Sequence, residues 1–125
     1  MKEPQRDAFR IHHMVQACEL LDDFLRGKQL SDLLNNRLLS SAVERQFEII
    51  GEAASHVSEQ TQTNWPAISW RQMKGTRNII AHEHFRPDYE KIWNTAHYII
   101  PVELPLLREV LANLEATYGR PDTRV

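Results

Sequence analysis

Apolar residues recur at three- and four-residue steps along most of this chain, and this spacing restricts its fold more than any other feature. One apolar stripe lies within the first 25 residues and consists of Ile11, Met14, Val15, Cys18, Leu21 and Leu25. A second runs from Leu39 to Val57, and further ones follow residue 70. Such steps place apolar side chains on one side of an α-helix, whereas a half-buried strand would alternate them. The chain is therefore predicted to be all-helical.

Helix boundaries in the first half are predicted from capping residues and breakers. The first helix should run from about Pro4 to Arg26, because Gly27 favours a stop after it. Ser31 and Asp32 are candidate caps for the next segment. The main second helix is predicted over residues 36–59, and residues 60–68 are predicted to form a loop around Pro66.

In the second half, a third helix is predicted from Trp70 to about residue 83, with Ser69 as its cap. Asp88 should cap a fourth helix, which begins at Tyr89 and extends to about residue 117. Pro101 and Pro105 are expected to kink or divide it. The result is an up-and-down bundle of four or five helices in one domain over residues 1–125, frayed from about residue 118.

Length and composition agree with a single globular domain. The chain has 125 residues, a net charge of −2 and one cysteine, Cys18, which lies in an apolar stripe and is predicted to be a core residue. A lone thiol favours a reducing compartment. There is neither a secretory signal nor an apolar run of about 18 residues. A cytoplasmic protein that does not span a membrane is therefore expected, with no cofactor.

The predicted third helix has one polar and one apolar side. An α-helix turns about 100° per residue. From Arg77, one arc of this helix collects the basic and polar side chains of Lys74, Asn78, Arg71 and His82. The opposite side carries Met73, Thr76, Ile79 and Ile80. Because grouped cations repel one another without an anionic partner, this arc indicates a phosphate-binding surface.

The same arc contains the groups that cleavage of RNA requires. A base removes the proton of the ribose 2′-hydroxyl, a cation stabilises the charged transition state, and an acid protonates the leaving oxygen. His82 would transfer the protons, Arg77 would stabilise the phosphate, and Asn78 would orient it. No metal is required in principle. One histidine cannot be acid and base at one instant, so a two-fold dimer with two copies of the site is predicted.

The residues alone also permit simpler interpretations. A solvated basic face is commoner than a catalytic pair, and His82-Glu83-His84 could suggest metal ligands without supporting acids or cysteines. Packing accounts for His12 and His13. Core or loop positions account better than base stacking for Trp65, Trp70 and Trp93. Glu52 would pair with a third-helix cation or face water, and the small Gly51 beside it would let a neighbouring helix approach.

Several segments together resemble a known family. They are GTRNIIAHEHF followed by RPDYEKIW, the earlier FEIIGEAASHVS and NWPAISW, the opening RDAFRIHHM and the late LPLLREVL. This combination resembles the HepT-like branch of the HEPN superfamily over about residues 6–115. The resemblance implies a helical bundle that dimerises, with Arg77, Asn78 and His82 as the motif residues of a metal-independent ribonuclease that acts on RNA, including tRNA.

The resemblance also implies a partner. Family members of this type are toxins paired with a small, MntA-like nucleotidyltransferase antitoxin, which adds AMP groups to a tyrosine two residues after the motif histidine. This chain has His84 at that position. The nearest tyrosine, Tyr89, matches a different family position. Neutralisation would then come from antitoxin binding over the cleft. Among the basic residues of this region, RNA contacts are expected from Lys74, Arg71, His84 and Arg86. A role as a second proton-transfer group is the alternative for His84.

Two functions of different kinds remain open at this point. The intact set of Arg77, Asn78 and His82 favours an endoribonuclease toxin. The departure at His84 favours a non-catalytic HEPN subunit that docks a partner nucleotidyltransferase. A purely structural helical dimer fits least well, because cations are clustered opposite a clean apolar face.

Overall fold

The computed structural model describes residues 3–80 and 87–123, which form α-helices joined by short connections and contain no β-strand. The helices are α1 (Asp7–Leu25), α2 (Leu30–Asn35), α3 (Arg37–Ser55), α4 (Glu59–Asn64), α5 (Trp70–Ile80), α6 (Tyr89–Asn94) and α7 (Ile100–Tyr118). A 3-10 turn, Pro4–Arg6, precedes α1, and a π-helical turn, Thr95–Ile99, joins α6 to α7. The predicted all-helical bundle is confirmed, with α2 and α4 as additional short helices.

Helix α3 lies between α1 and α5, and α1 also packs against α7. In α1, Glu19 pairs with Arg108 of α7, whereas the earlier His12 lines a cavity with the later Glu115. The two helices therefore run antiparallel, as in an up-and-down bundle. Their contacts enclose an apolar core whose largest fully buried side chains include Phe47, Ile11, Met14, Leu21, Ile50, Met73, Ile92 and Leu107.

Three predicted helix ends are confirmed. Gly27 follows α1 with a φ of 72°, a left-handed conformation that glycine adopts without steric penalty. The side chain of Asn36 accepts a hydrogen bond from Leu39 N at 3.1 Å and caps α3. Asp88 accepts one from Lys91 N at 3.1 Å and caps α6 as predicted. These side chains satisfy N–H groups that have no partner within the helix.

The predicted cap at Ser31 is wrong. Gln29 precedes α2, and Ser31 lies within its first turn. The carboxylate of Asp32 accepts a hydrogen bond from Gln29 N at 2.7 Å. Asp32 thus supports the start of α2 from its third helical position, as the acidic residue of a capping box does.

The boundary predicted after the second helix is also wrong. Helix α3 ends at Ser55, and α4 occupies part of the predicted loop. The reason is a long-range contact: the buried carboxylate of Asp7, at the start of α1, accepts hydrogen bonds from the backbone N–H and hydroxyl of Ser58 and from the hydroxyl of Thr61. Ser58 is the cap of α4, so Asp7 fixes the break between the two helices and places α1 antiparallel to α3.

The last predicted helix is divided just before its prolines. The π-helical turn leads directly into α7, and Pro101 lies in the first turn of α7. Pro105 lies inside α7 without ending it. Within residues 3–80 and 87–123, no helix has the length and apolar character that crossing a membrane requires.

Candidate active site

Helix α5 separates a buried face from an exposed one. The buried face consists of Met73 and Thr76, with the partly buried Ile79 and Ile80 packed against the core. The exposed face carries Arg71, Arg77 and Asn78. The two-sided arrangement predicted for this helix is therefore confirmed up to Ile80, the last residue described in it.

Helices α3 and α5 approach each other closely at Gly51. A Cβ atom at this position would lie 2.3 Å from the Cγ of Arg77, and 2.9 Å from both its backbone nitrogen and the Oγ1 of Thr76. Such distances are too short for any side chain, so only glycine fits without displacement of α5. The packing role predicted for Gly51 is confirmed, and the backbone and side-chain stem of Arg77 are what it accommodates.

Thr76 links the two helices beside this glycine. Its hydroxyl lies 2.8 Å from the carbonyl oxygen of Phe47 in α3 and 2.8 Å from that of Met73 in its own helix. Thr76 is fully buried, so this hydroxyl satisfies a polar group inside an otherwise apolar contact. The hydrogen bond from Thr76 to Phe47 and the absence of a Cβ at Gly51 together set the register of α5 on α3. They thereby set the position of Arg77 along α3.

The guanidinium of Arg77 pairs with a carboxylate from α3. Nη1 of Arg77 donates a hydrogen bond to Oε2 of Glu52 at 2.7 Å, a short distance typical of charge-assisted pairs. The other carboxylate oxygen lies 3.7 Å from Nδ1 of His56. About half of the Arg77 side chain, 48%, is accessible to solvent. Of the two alternatives for Glu52, pairing with a cation of this helix is the correct one.

The other two basic residues of α5, Lys74 and Arg71, do not share the partner of Arg77. Nζ of Lys74 donates a hydrogen bond to Oε1 of Gln62 in α4 at 2.8 Å, so Lys74 extends towards α4 while Arg77 extends towards α3. Arg71 is exposed near the start of α5. Gln62 was missed from sequence because it falls in the segment predicted to be a loop.

Three of the predicted site residues, His82, His84 and Arg86, lie outside the residues that the structure describes, as does the possible metal-ligand run His82-Glu83-His84. In the described part of the chain, no three His, Cys, Asp or Glu side chains are grouped so that they could hold a metal ion.

A sequence comparison identifies the family. The family model described as "Ribonuclease HepT-like" matches residues 14–112, which include the whole of α3 and α5. The chain belongs to the HepT-like ribonuclease family. The matched range includes Gly51 and Arg77, together with the predicted site residues Asn78 and His82.

Curated HepT-like relatives are similar over most of their length. The "Probable ribonuclease HepT" of Thermococcus cleftensis is 32% identical over 101 residues, which cover 81% of this chain and 90% of the relative. A protein of Caldanaerobacter subterraneus subsp. tengcongensis with the name "Putative RNase TTE0752" is 30% identical over the same shares. "Putative RNase MJ1216" of Methanocaldococcus jannaschii is 27% identical and covers 90% of the chain and 93% of the relative. No solved structure matches the chain.

Tyr89, the tyrosine nearest to the HepT-like motif, is already engaged in the fold. Its hydroxyl donates a hydrogen bond to Oε2 of Glu44 in α3 at 2.8 Å. Partial burial, followed by this contact with Glu44, raises the pKa of Tyr89 above its ordinary value. The hydrogen bond to Glu44 ties the start of α6 to α3.

The simpler interpretations of other residues hold. Cys18 is fully buried, and burial, followed by the charge of Glu19, raises the pKa of its thiol to about 12. It is a core residue, as predicted. Trp70 is also buried, and its indole N–H donates to the carbonyl of Trp65 at 3.0 Å. Trp65 and Trp93 pack against the core, so all three tryptophans are anchors of the fold.

Proposed function

We propose that this chain is a metal-independent endoribonuclease that serves as the toxin of a toxin–antitoxin pair. Membership of the HepT-like ribonuclease family supports the class of reaction. The observation that carries the proposal is the position of Arg77: its side chain is half exposed and its guanidinium is paired with Glu52, where Gly51 lets α5 approach α3. A cation positioned by a partner is what stabilisation of a transferring phosphoryl group requires.

In this proposal, Arg77 stabilises the charge that develops on the phosphate oxygens, and Asn78 orients the same group. His82 removes the proton of the ribose 2′-hydroxyl, whose oxygen forms a bond to the adjacent phosphorus. The bond from phosphorus to the 5′-oxygen breaks, and an imidazolium protonates that oxygen. The products are a 2′,3′-cyclic phosphate and a 5′-hydroxyl. Phosphates and bases of the substrate, including tRNA, are contacted by Arg71, Lys74, His84 and Arg86.

A homodimer would supply the second proton-transfer group. Two copies related by a two-fold axis bring two His82 imidazoles and two Arg77 guanidinium groups to one cleft. One imidazole then acts as base and the other as acid. Sedimentation of the purified protein measures this directly, and a monomer that cleaves RNA would contradict the composite site.

The proposed antitoxin is a small nucleotidyltransferase, and neutralisation by binding over the cleft fits this chain better than modification of a tyrosine. The modified position of similar toxins is occupied here by His84. The nearest phenol, that of Tyr89, is hydrogen-bonded to Glu44. Activity should therefore return when the antitoxin is removed under denaturing conditions and the toxin is refolded.

Incubation of the purified protein with bulk tRNA, with and without excess chelator, tests the proposal. His82→Ala is the matched variant. Chelator-resistant cleavage that disappears in His82→Ala is the expected result. Cleavage that persists in His82→Ala would contradict the role of His82. An absence of cleavage with several RNAs at high protein concentration would favour the alternative that the departure at His84 suggests, a binding subunit that docks a nucleotidyltransferase.

A further inference from the structure

A groove of about 440 Å³ lies between α1 and α3 and reaches Arg77. Its lining includes Phe9, Arg10 and His13 from α1, and Arg45 and Ile49 from α3. The RNA contacts predicted from sequence all come from α5 and the residues after it. The groove therefore adds a second surface to the candidate site, built by different helices and continuous with the same guanidinium.

The charges of this groove favour an anion. Two of its arginines already have carboxylate partners: Arg77 contacts Glu52 at 2.7 Å, and Arg45 lies 3.5 Å from Glu48. Arg10 has no such partner among the described residues, and its guanidinium carbon lies 5.3 Å from the ring centroid of Phe9. On a chain of net charge −2, this lining with three arginines and two glutamates is a local positive surface.

The same groove offers aromatic and apolar contacts. The rings of Phe9 and His13 meet edge to face with centroids 4.5 Å apart, and Ile49 is partly buried between the helices. Burial, followed by the charges of His12 and Arg10, lowers the pKa of His13 below its ordinary value. A neutral imidazole can both donate and accept a hydrogen bond at a base edge. Proteins that bind single-stranded nucleic acid combine a basic groove with aromatic side chains in this way.

We propose that this groove binds one further nucleotide of the RNA substrate. This nucleotide lies next to the two nucleotides that the scissile bond joins. Arg10 and Arg45 contact its phosphate, and its base lies against Phe9 and Ile49. The inference rests on the proposed ribonuclease function and extends it to substrate length: a good substrate is longer than a dinucleotide. The lining carries three arginines and two glutamates, so its net positive charge complements a phosphodiester better than a second copy of the same surface.

The test compares two substrates that differ only in flanking nucleotides. One is a dinucleoside monophosphate, and the other is an oligonucleotide extended on both sides of the same dinucleotide. Arg10→Gln and Arg45→Gln each remove one cation from the groove. Each should raise KM for the oligonucleotide about tenfold, the usual effect of one charged hydrogen bond, and change KM for the dinucleotide far less. The salt dependence of oligonucleotide binding should fall by about 0.7 in slope for each lost phosphate contact.

Arg108→Gln is the matched control. Arg108 pairs with Glu19 at 2.9 Å on the α1–α7 surface, does not line the groove, and loses the same charge. This substitution should leave KM unchanged for both substrates. The inference would be overturned if the groove variants lost activity equally on both substrates and also sedimented as a smaller species. The groove would then be a contact between two copies of the chain. Unchanged kinetics in both groove variants would also overturn the inference.

Binding of a 2′-O-methyl oligonucleotide, which cannot be cleaved by attack of the 2′-oxygen, separates this inference from the proposed function. Affinity that falls about tenfold in Arg10→Gln and stays constant in Arg108→Gln supports the groove even if the protein cleaves nothing. Cleavage that survives with equal affinity in both variants supports the ribonuclease and refutes the groove.

Discussion

Two carboxylates near the C-terminal end of α3 are used in opposite ways. Asp7 is 1% exposed and accepts hydrogen bonds from Ser58 and Thr61, and no cation among the described residues pairs with it. Glu52 is 60% exposed on its side chain and pairs with the half-exposed Arg77. Each joins helices that are distant in sequence. The buried acid fixes a break in the chain, whereas the exposed acid fixes the direction of one side chain.

The difference in solvation decides what each acid contributes. Exposed ion pairs typically stabilise a protein by about 0–1 kcal/mol, because solvent screens them and ordering two side chains opposes them. A buried acceptor is different, since its removal leaves donors unsatisfied in a low-dielectric interior. The Asp7 contact should therefore matter mainly to stability, and the Glu52 contact mainly to the candidate site.

Removal of the buried acid should give the largest effect. Asp7→Ala leaves the N–H of Ser58 and the hydroxyls of Ser58 and Thr61 without their acceptor. We expect the free energy of unfolding to fall by about 3 kcal/mol, measured by urea denaturation. Asp23→Ala, which removes an exposed carboxylate paired with Arg26, should change it by less than about 0.5 kcal/mol. Similar values for both variants would refute the anchoring role of Asp7.

A side chain at the α3–α5 seam should affect stability and activity together. Gly51→Ala places a Cβ against Arg77 and Thr76, so α5 must shift. Overpacking of this kind destabilises by about 1–3 kcal/mol, partly offset by about 1 kcal/mol of helix propensity. Cleavage of RNA should fall further than stability predicts, because the displaced group is Arg77. Urea denaturation and initial rates on the same preparation measure both.

Gly75→Ala is the matched control for this seam. A Cβ at Gly75 meets no atom within 4 Å, although it lies in the same helix as Arg77. The substitution should raise stability by about 0.5–1 kcal/mol and leave cleavage unchanged. If both alanine variants behave alike, the close approach at Gly51 is not what holds Arg77 in place.

The exposed pair should show the reverse of the Asp7 result. Glu52→Ala should change the free energy of unfolding by less than about 0.5 kcal/mol, because the pair is solvated. It should lower kcat about tenfold, because Arg77 is no longer directed by its partner, while KM stays nearly constant. Glu52→Gln keeps an acceptor oxygen and should restore most of kcat. A positioning role is excluded if the alanine variant retains full kcat.

Local patterns predicted much of the candidate site before its geometry was known. The two faces of α5 follow from a helical repeat, and the small Gly51 indicated the close approach. Pairing with a cation of α5 was one of the two alternatives for Glu52. These features need only the knowledge that one helix packs on another. Once the two helices pack together, Glu52 and the cations of α5 have few other charged partners nearby.

The misplaced break between α3 and α4 shows where such patterns fail. The segment that follows residue 55 is polar and lacks an apolar stripe, so α4 resembles a loop in sequence. Its cap, Ser58, is held by Asp7, a residue 51 positions earlier. The contact of Lys74 with Gln62 was missed for the same reason, since Gln62 belongs to that helix. Tertiary hydrogen bonds of this range leave no periodic signal.

Glu103 in α7 lies between the two cases. It is buried like Asp7, but only one of its oxygens accepts a hydrogen bond, from Ser69 N at 3.1 Å, and the other has no partner among the described residues. Burial raises the pKa of this carboxyl above its ordinary value, and the bond from Ser69 opposes that shift. The folded protein therefore binds this proton more tightly than the unfolded chain does.

The sign of the pH dependence follows from that difference. The contribution of Glu103 is most favourable below the ordinary glutamate pKa of about 4.3, and stability is lost as the pH rises through the raised pKa of the folded state. Glu103→Gln keeps an acceptor for Ser69 N and removes the buried charge. It should stabilise the protein by about 1 kcal/mol at pH 7 and by almost nothing near pH 4 in urea denaturation. A loss of stability at pH 7 would mean that Glu103, like Asp7, is a satisfied acid whose charge the fold requires.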